Sequence, residues 1–154
     1  MISILVACAV IISDQLSKYA VVAGLPQGTR IDVLGDVLRL SHIRNSGAIF
    51  GVMRGSGGYF TYFSLFAAIV LVVVLLLSRK ACGLVKIGLG LVLGGAIGNL
   101  IDRLRLGAVV DFIDIGAGDA VRWPSFNVAD LAITVGVVFI VICSLRSNNG
   151  TLAE

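Results

Sequence analysis

The sequence predicts a membrane protein of four transmembrane helices, with a small extracytoplasmic β-sheet between helices 1 and 2. The composition is 58% hydrophobic and only 14% charged, and the mean hydropathy is +1.03, a combination untypical of water-soluble globular domains. Four apolar runs are each close to the ~20 residues that a helix needs to cross a bilayer. Because 154 residues is the length of one domain, we expect residues 1–154 to form a single integral membrane domain.

The first predicted span covers about residues 2–24 and carries polar residues towards its C-terminal end. Asp14 and Lys18 are four residues apart, so they can pair on one face of a helix. A secretory signal peptide begins with basic residues and has an uncharged cleavage zone, and this run has neither feature. We therefore predict a membrane helix here rather than a signal peptide.

The region of about residues 29–58 is the longest stretch outside the spans, and its first half alternates in polarity. Polar and apolar residues alternate over 30–34 and 36–43, which predicts two short strands joined by a turn at Gly35. A small sheet lying against the membrane surface fits this pattern. Residues 45–51 predict a tight turn, in which Asn45 suits either a turn or a substrate contact, and the glycine-rich segment 55–58 predicts a flexible joint.

The second and third spans are predicted at about 59–78 and 84–102. The third contains glycines four residues apart, a stripe of small residues that lets another helix pack closely. These glycines are Gly90, Gly94 and Gly98.

The fourth span is predicted at about 126–145, after a loop that covers 103–125. Pro124 suits the start of a helix, and Ser125 is a plausible N-cap. Four spans place both termini on one side of the membrane, but the scattered basic residues do not fix which side that is.

The inventory of side chains limits the acid–base chemistry that is available. The single histidine, His42, is the only one available to a histidine-based triad, and Glu154 is the one glutamate among nine acidic residues, so the other eight are aspartates. We expect no metal and no other cofactor. The net charge of +3 is modest, which does not favour nucleic acid as a partner. The three cysteines are far apart in the sequence, so we expect them to be free and buried thiols. They are Cys8, Cys82 and Cys143.

The unusual polar residues fall at one end of the predicted spans or in the adjoining loops. A carboxylate at the edge of a bilayer is costly and marks a candidate functional site. The residues that would gather near this membrane face are Asp14, Lys18, Asn45, Asn99, Asp102, Arg103, Asp111, Asn127 and Asp130.

Asp111 and Asp130 have the chemistry of an aspartic protease dyad. Two carboxylates in close contact cannot both ionise, so they share one proton. One can then activate a water molecule as a base while the other donates a proton to the scissile carbonyl oxygen. The alternative is that each aspartate pairs with a nearby arginine or caps a helix.

The remaining polar residues predict structural roles. We expect two ion pairs, Asp14 with Lys18 and Asp102 with Arg103. Two asparagines, Asn99 and Asn127, are expected to support the site by hydrogen bonds, with Asn127 orienting Asp130. Loop aspartates 114 and 119 are expected to be solvated, and His42 to be a surface or packing residue. The ring of the sole tryptophan, at position 123, fits an anchor at the membrane interface.

Five sequence blocks, in this order, resemble the bacterial lipoprotein signal peptidase family, also called type II signal peptidases. The resemblance covers nearly the whole chain, and the ordered set is far more specific than any single block. The blocks are Asp14-Gln15-Leu16-Ser17-Lys18, Asn45-Ser46-Gly47-Ala48-Ile49-Phe50, Gly94-Gly95-Ala96-Ile97-Gly98-Asn99-Leu100-Ile101-Asp102-Arg103, Val109-Val110-Asp111-Phe112 and Phe126-Asn127-Val128-Ala129-Asp130.

The resemblance implies an aspartic endopeptidase that removes the signal peptide from diacylglyceryl-modified prolipoproteins, cutting just before the lipidated cysteine. The family's catalytic aspartates match Asp111 and Asp130. Substrate-binding or supporting positions would be Asp14, Lys18, Asn45, Gly95, Asn99, Asp102, Arg103, Asn127 and Ala129.

The same resemblance implies a multi-pass protein of the bacterial cytoplasmic (inner) membrane. Its termini would lie in the cytoplasm and its active site near the extracytoplasmic face. Partners would be the prolipoprotein and membrane lipids, the protein would act as a monomer, and globomycin would inhibit it. The chain departs from the family in lacking basic residues ahead of the first span.

Three alternatives remain from the sequence. In a small proton-coupled transporter, Asp130 and Asp14 would relay protons, which predicts carboxylates at mid-membrane depth. A non-catalytic scaffold built on the glycine stripe would leave Asp111 and Asp130 without a purpose. A presenilin-type protease is the third.

Overall fold

The computed structural model describes residues 1–47, 57–78 and 80–150. Within them, four helices are long and apolar enough to cross a membrane, which confirms the predicted fold class. Their bounds are α1 Ile2–Gly24, α2 Gly57–Leu77, α3 Gly83–Leu106 and α4 Val128–Gly150. The turn predicted at 45–51 and the joint predicted at 55–58 fall largely outside the described residues, although Gly57 and Gly58 open α2.

The four-stranded antiparallel sheet has the order β1-β2-β3-β4. The first two strands confirm the predicted hairpin, with Gly35 in its turn at a φ of +49°. The other two come from the segment predicted as a loop, so that prediction was wrong. The strands are β1 Arg30–Leu34, β2 Leu38–Asn45, β3 Val109–Ala117 and β4 Val121–Arg122.

Helix α3 is the central helix, since α1, α2 and α4 all pack against it. Its glycines allow close approach on two sides. A Cβ atom at Gly94 would come within 2.8 Å of the Ala7 carbonyl oxygen in α1, and one at Gly95 would collide with the Ala129 carbonyl in α4. The glycine stripe therefore lets two helices approach the backbone of α3.

The sheet is fixed to the helix ends by a small apolar cluster. Val21 and Leu25 at the end of α1 pack with Phe112 of β3, and partly buried residues from β2, β3 and α4 surround them. His42 Nδ1 lies 2.8 Å from the Leu25 carbonyl oxygen and the ring is buried, as expected of a packing residue. These contacts set the position of β3 relative to the helices.

The cysteines differ from the prediction of three free and buried thiols. Cys82, just before α3, lies with its sulfur atom against that of Cys143 in α4, and both Cys8 and Cys82 are exposed. The partners are 61 residues apart in the sequence. Nothing local in the sequence reveals a pairing that arises only when two long helices lie side by side.

Candidate active site

Asp130 is held by the first turn of α4. The Asn127 side-chain oxygen accepts a hydrogen bond from the Asp130 N–H at 3.0 Å, and the Asn127 N–H donates to Asp130 Oδ2 at 3.3 Å. This reciprocal pair is a capping box in which Asn127 is the N-cap and Asp130 the third helical residue. The prediction of Ser125 as N-cap was therefore wrong, and the cap and the candidate catalytic residue form one unit.

Asp111 is held from two sides in β3. Asn45 of β2 donates its side-chain N–H to Asp111 Oδ2 at 3.0 Å, and Asn127 donates to Asp111 Oδ1 at 2.8 Å. Because the carboxylate accepts amide hydrogen bonds on both oxygens, its orientation is fixed. The prediction that Asn127 would orient Asp130 holds, but this asparagine also orients Asp111.

Asp111 and Asp130 line the same cavity of about 740 Å³, at the junction of the sheet with the ends of α3 and α4. The cavity wall also includes Asn45, Asn99 and Arg103. Asp130 lies in the first turn of its helix and Asp111 lies outside the helices. The two carboxylates therefore sit at the edge of the spanning bundle, unlike a proton relay at mid-membrane depth.

Burial raises the pKa of Asp111 from its ordinary 3.8 to about 6. The amide hydrogen bond from Asn45 opposes this shift by stabilising the charged form, and the nearby Asp130 adds to the shift by repulsion. A carboxyl group with this pKa holds a proton far more readily near neutral pH than an exposed aspartate does, as a general acid requires.

Lys18 is buried in α1 and contacts three polar side chains that support the site. Its ammonium group lies 2.8 Å from Asp14 Oδ2 and 2.9 Å from Asp102 Oδ2, and it donates to Asn99 Oδ1 at 3.0 Å. All three N–H donors are thus used in a buried position, which removes the cost of an unpaired buried charge. Asn99 in turn donates to Asp130 Oδ1 at 2.8 Å, so one asparagine links the buried lysine to the candidate dyad.

The two acidic partners of Lys18 also hold the elements that carry the dyad. Asp14 Oδ1 accepts the N–H of Ala129 at 2.9 Å, and Asp102 Oδ2 accepts the N–H of Val110 at 3.1 Å. Ala129 and Val110 each directly precede one of the two aspartates. Asp14 and Asp102 therefore fix the backbone on either side of the cavity.

The predicted Asp14–Lys18 pair is confirmed, whereas the predicted Asp102–Arg103 pair is wrong. Residues 102 and 103 point to different faces of α3, because adjacent helical side chains do not face each other. Asp102 turns inward to Lys18, and Arg103 lines the cavity, with Nη1 3.4 Å from the Asn99 carbonyl oxygen.

The signal peptidase II model matches residues 6–146 of the chain. The chain belongs to this family. It is 47% identical over 135 residues to the lipoprotein signal peptidase of Shouchella clausii (strain KSM-K16), covering 86% of this chain and 85% of the relative. It is 38% identical over 144 residues to that of Syntrophus aciditrophicus (strain SB), covering 90% and 89%.

A solved structure agrees with the sequence relatives. A bacterial membrane enzyme determined by the in meso method at 2.3 Å resolution matches with a TM-score of 0.84 and 34% identity, covering 96% of this chain and 90% of that one. As a member of the signal peptidase II family, the chain is a peptidase, and its four spanning helices make it a multi-pass protein of a bacterial membrane.

Two further acids of this signal peptidase II lie away from the cavity. Asp114 was expected to be solvated but is buried, because it pairs with Arg122 at 2.6 Å on the sheet. Asp119 is exposed and pairs with Arg39. Asp119 ends a Gly-x-Gly-Asp sequence, the pattern of presenilin-type proteases, but that sequence spans the end of β3 and the start of the turn after it, and it does not line the cavity.

Gln15 has a supporting role that the predicted site residues did not include. Its side-chain amide donates to Asp102 Oδ1 at 3.1 Å and to the Gly98 carbonyl oxygen at 3.2 Å. Its position next to Asp14, in the polar stretch of a mainly apolar helix, was the available signal. Gly95 and Ala129, both predicted site residues, meet where α3 and α4 touch.

Proposed function

We propose that Asp111 and Asp130 form an aspartic dyad, with which this signal peptidase II removes the signal peptide of diacylglyceryl-modified prolipoproteins, before the lipidated cysteine. One observation carries the proposal: two carboxylates from different elements, both oriented by Asn127, line a single cavity at the edge of the spanning helices.

The reaction needs no group beyond the two carboxyls and one water. The ionised carboxylate takes a proton from the water, whose oxygen attacks the scissile carbonyl carbon, and the protonated carboxyl gives its proton to the carbonyl oxygen. The tetrahedral intermediate then collapses, the C–N bond breaks, and the leaving amine takes up a proton. One water is consumed and the dyad regains its single shared proton.

Asp111 is the acid in this scheme and Asp130 is the base. Burial raises the pKa of Asp111 to about 6, so this carboxyl is protonated more often near neutral pH than an exposed aspartate is. Asp130 lies in the first turn of α4, where the N-terminal end of the helix dipole stabilises negative charge. Asn99, whose oxygen contacts the Lys18 ammonium, donates to Asp130 and steadies it further.

The cavity also suggests how the substrate binds. Its wall continues from the dyad along α4 to Leu131, Ile133 and Thr134, so the acyl chains of the substrate can stay in the bilayer while the scissile bond reaches the dyad. We assign Arg103 to hydrogen bonds with the substrate backbone. Asn45 was predicted as a second such group, and its hydrogen bond to Asp111 favours a positioning role instead.

Orientation follows from the same proposal. The sheet and the cavity would face the extracytoplasmic side of the inner membrane, where lipid-modified precursors present their cleavage site, and both termini would face the cytoplasm. Globomycin would compete for the cavity.

The test compares purified Asp111→Asn and Asp130→Asn with the unmodified protein on a diacylglyceryl prolipoprotein. Each variant should stay folded and bind substrate but lose at least ~100-fold in turnover, as expected when an acid or base is removed. Asp119→Asn, which alters an exposed carboxylate outside the cavity, is the matched control and should cleave normally. Turnover retained by either dyad variant would refute the proposal.

A further inference from the structure

The thiols of Cys82 and Cys143 meet at the end of the helical bundle that lies away from the cavity. Cys82 is the N-cap of α3, whose far end carries Asn99 and Arg103 of the cavity wall. Cys143 lies in α4, about 20 Å along the helix axis from Asp130 at 1.5 Å per residue. The two sulfur atoms are in contact, and the proposed cleavage mechanism uses neither of them.

The contact between the thiols follows from the packing of α3 on α4. A Cβ atom at Gly88 would come within 2.8 Å of the Gly136 carbonyl oxygen, and one at Gly136 within 2.6 Å of the Gly88 carbonyl oxygen. The two helix backbones therefore touch at these glycines, about two helical turns from Cys82 and from Cys143. The closely packed helices, rather than a loose chain end, bring the two cysteines together.

The surroundings of the two thiols suit oxidation. Cys82 is exposed and directly precedes a helix of 24 residues, where the N-terminal end of the helix dipole favours negative charge. Lys86 in α3 and Arg146 in α4 each lie about one turn beyond a cysteine and add positive charge. Such an environment favours the thiolate, which is the form of cysteine that attacks an oxidant. An accessible thiolate beside a second thiol is the arrangement of a redox-reactive cysteine and its resolving partner.

The third cysteine lacks this arrangement. Cys8 is exposed on α1, and within the part of the chain that the structure describes, which includes all three cysteines, it has no second thiol beside it. A sulfenic acid formed on Cys8 therefore has no thiol in the same chain with which to condense. Cys8 provides an internal comparison for the reactivity of the other two.

We propose that Cys82 and Cys143 are an oxidation site, at which a hydroperoxide converts the two thiols into a disulfide between α3 and α4. The Cys82 thiolate attacks one peroxide oxygen, the O–O bond breaks, and the products are a sulfenic acid and, for hydrogen peroxide, one water. The Cys143 sulfur then attacks the sulfenic sulfur, the S–O bond breaks, and a second water leaves. In total, two thiols lose two electrons and two protons, and one hydrogen peroxide is reduced to two waters.

The bond requires only a small movement at the end of the bundle. The two Cα atoms are 7.7 Å apart, and disulfides usually join Cα atoms that are no more than about 6.8 Å apart, so the approach needed is about 1 Å. Cys82 can make this approach because it lies in the connection before α3 rather than in the helix. In the proposed orientation this end faces the cytoplasm, where thiols are kept reduced, so the disulfide forms when peroxide rises.

The test counts free thiols in the full chain reconstituted in phosphatidylcholine vesicles. After treatment with hydrogen peroxide, the protein is denatured without reductant, and its remaining thiols are tagged with a maleimide polymer that retards the chain on a gel. The unmodified protein has three cysteines, so it should take three tags before peroxide, one after it, and three again after dithiothreitol. The control Cys8→Ser should fall from two tags to none. Peptide mass spectrometry should find Cys82 joined to Cys143 within one chain.

Two further variants identify the thiol that reacts first. Cys143→Ser removes the resolving partner, so the sulfenic acid on Cys82 should persist and be trapped by dimedone. Cys82→Ser should give no dimedone adduct on Cys143. The disulfide also joins residues that are 61 apart in the sequence and so restricts the unfolded chain, which means that peroxide should raise the Tm of the unmodified protein but not that of Cys82→Ser.

Three tags remaining after peroxide would overturn the proposal, as would a disulfide between two chains in place of one within a chain. A dimedone adduct on Cys143 in Cys82→Ser, without one on Cys82 in Cys143→Ser, would overturn the assignment of Cys82 as the attacking thiol. An unchanged Tm in the oxidised protein would contradict a bond between the folded helices. None of these measurements involves cleavage, so their outcome is independent of the proposed dyad.

Discussion

At the scale of single residues, Asn127 does the most to define the site. Its side-chain oxygen caps α4, its backbone N–H holds Asp130, and its side-chain N–H holds Asp111. The side chain is fully buried, so water cannot replace these bonds when they are lost. The geometry of the dyad therefore depends on one amide.

Two substitutions at Asn127 separate its role as the N-cap of α4 from its role as a hydrogen-bond donor to Asp111. Asn127→Ala removes both the cap and the donor to Asp111, so we expect about 1 kcal/mol less stability from the cap and a large fall in kcat. Asn127→Asp keeps a capping oxygen but loses the donor, so kcat should fall while the cap survives. Thermal unfolding and steady-state kinetics measure the two effects, and a normal kcat in both variants would contradict the positioning role.

The pH dependence of cleavage tests the role of Asp111. Its pKa is raised to about 6, and a general acid must be protonated, so kcat/KM should fall as the pH rises through about 6. Folding shows the same sign: the folded protein keeps this proton at pH values where the unfolded chain, with the ordinary pKa of 3.8, has lost it. The burial of Asp111 therefore lowers the free energy of unfolding at pH values above about 6. This cost shrinks as the pH falls from about 6 towards 3.8 and is gone below 3.8.

The measurement is a pH profile of kcat/KM on a substrate without titrating groups in the range. An alkaline limb near pH 6 is expected. A profile that rises from about pH 5 to about pH 8 would show that Asp111 acts as the base instead.

At the scale of elements, α3 and α4 approach closely enough to bring Asn99 to Asp130. Gly95 permits this, because a Cβ there would collide with the Ala129 carbonyl, one residue before Asp130. Gly95→Ala should therefore push α4 outwards, costing about 1–3 kcal/mol of stability and reducing cleavage. Gly24→Ala is the matched control, since a Cβ at position 24 meets nothing within 4 Å. Equal activity of the two variants would mean that the helix spacing does not set the site.

The sequence predicts well the elements whose signal is local. The four spans follow from length and hydropathy, and the β1–β2 hairpin follows from alternation around Gly35. The strand β3 was missed because Val109 to Phe112 is buried throughout and so shows no alternation. Its pairing with β2 joins residues far apart in the sequence, which no local pattern records.

The candidate site also has a part that the sequence predicts and a part that it does not. Residue types at the ends of spans, together with the family resemblance, picked out the aspartates and asparagines of the cavity. The actual partners were less predictable: Asp102 pairs with Lys18 from another helix rather than with its neighbour Arg103. Ion pairs across helices depend on how the bundle packs, and that is a property of the folded chain.

At the scale of the whole molecule, the spanning bundle and the sheet each contribute one candidate catalytic residue. Asp130 comes from α4 and Asp111 from β3, and the buried network of Lys18 holds both elements in place through Asp14 and Asp102. The site therefore exists only when the sheet is docked on the helix ends.

A double-mutant cycle of Asp111→Asn, Asp130→Asn and the combined variant, measured as kcat/KM on a diacylglyceryl prolipoprotein, tests most directly whether the two carboxyls work as one unit. If they share a water molecule and a proton, the combined variant should be no slower than the worse single variant, since the machinery is already lost. Losses that multiply in the combined variant would show that the aspartates act independently, and would contradict the dyad.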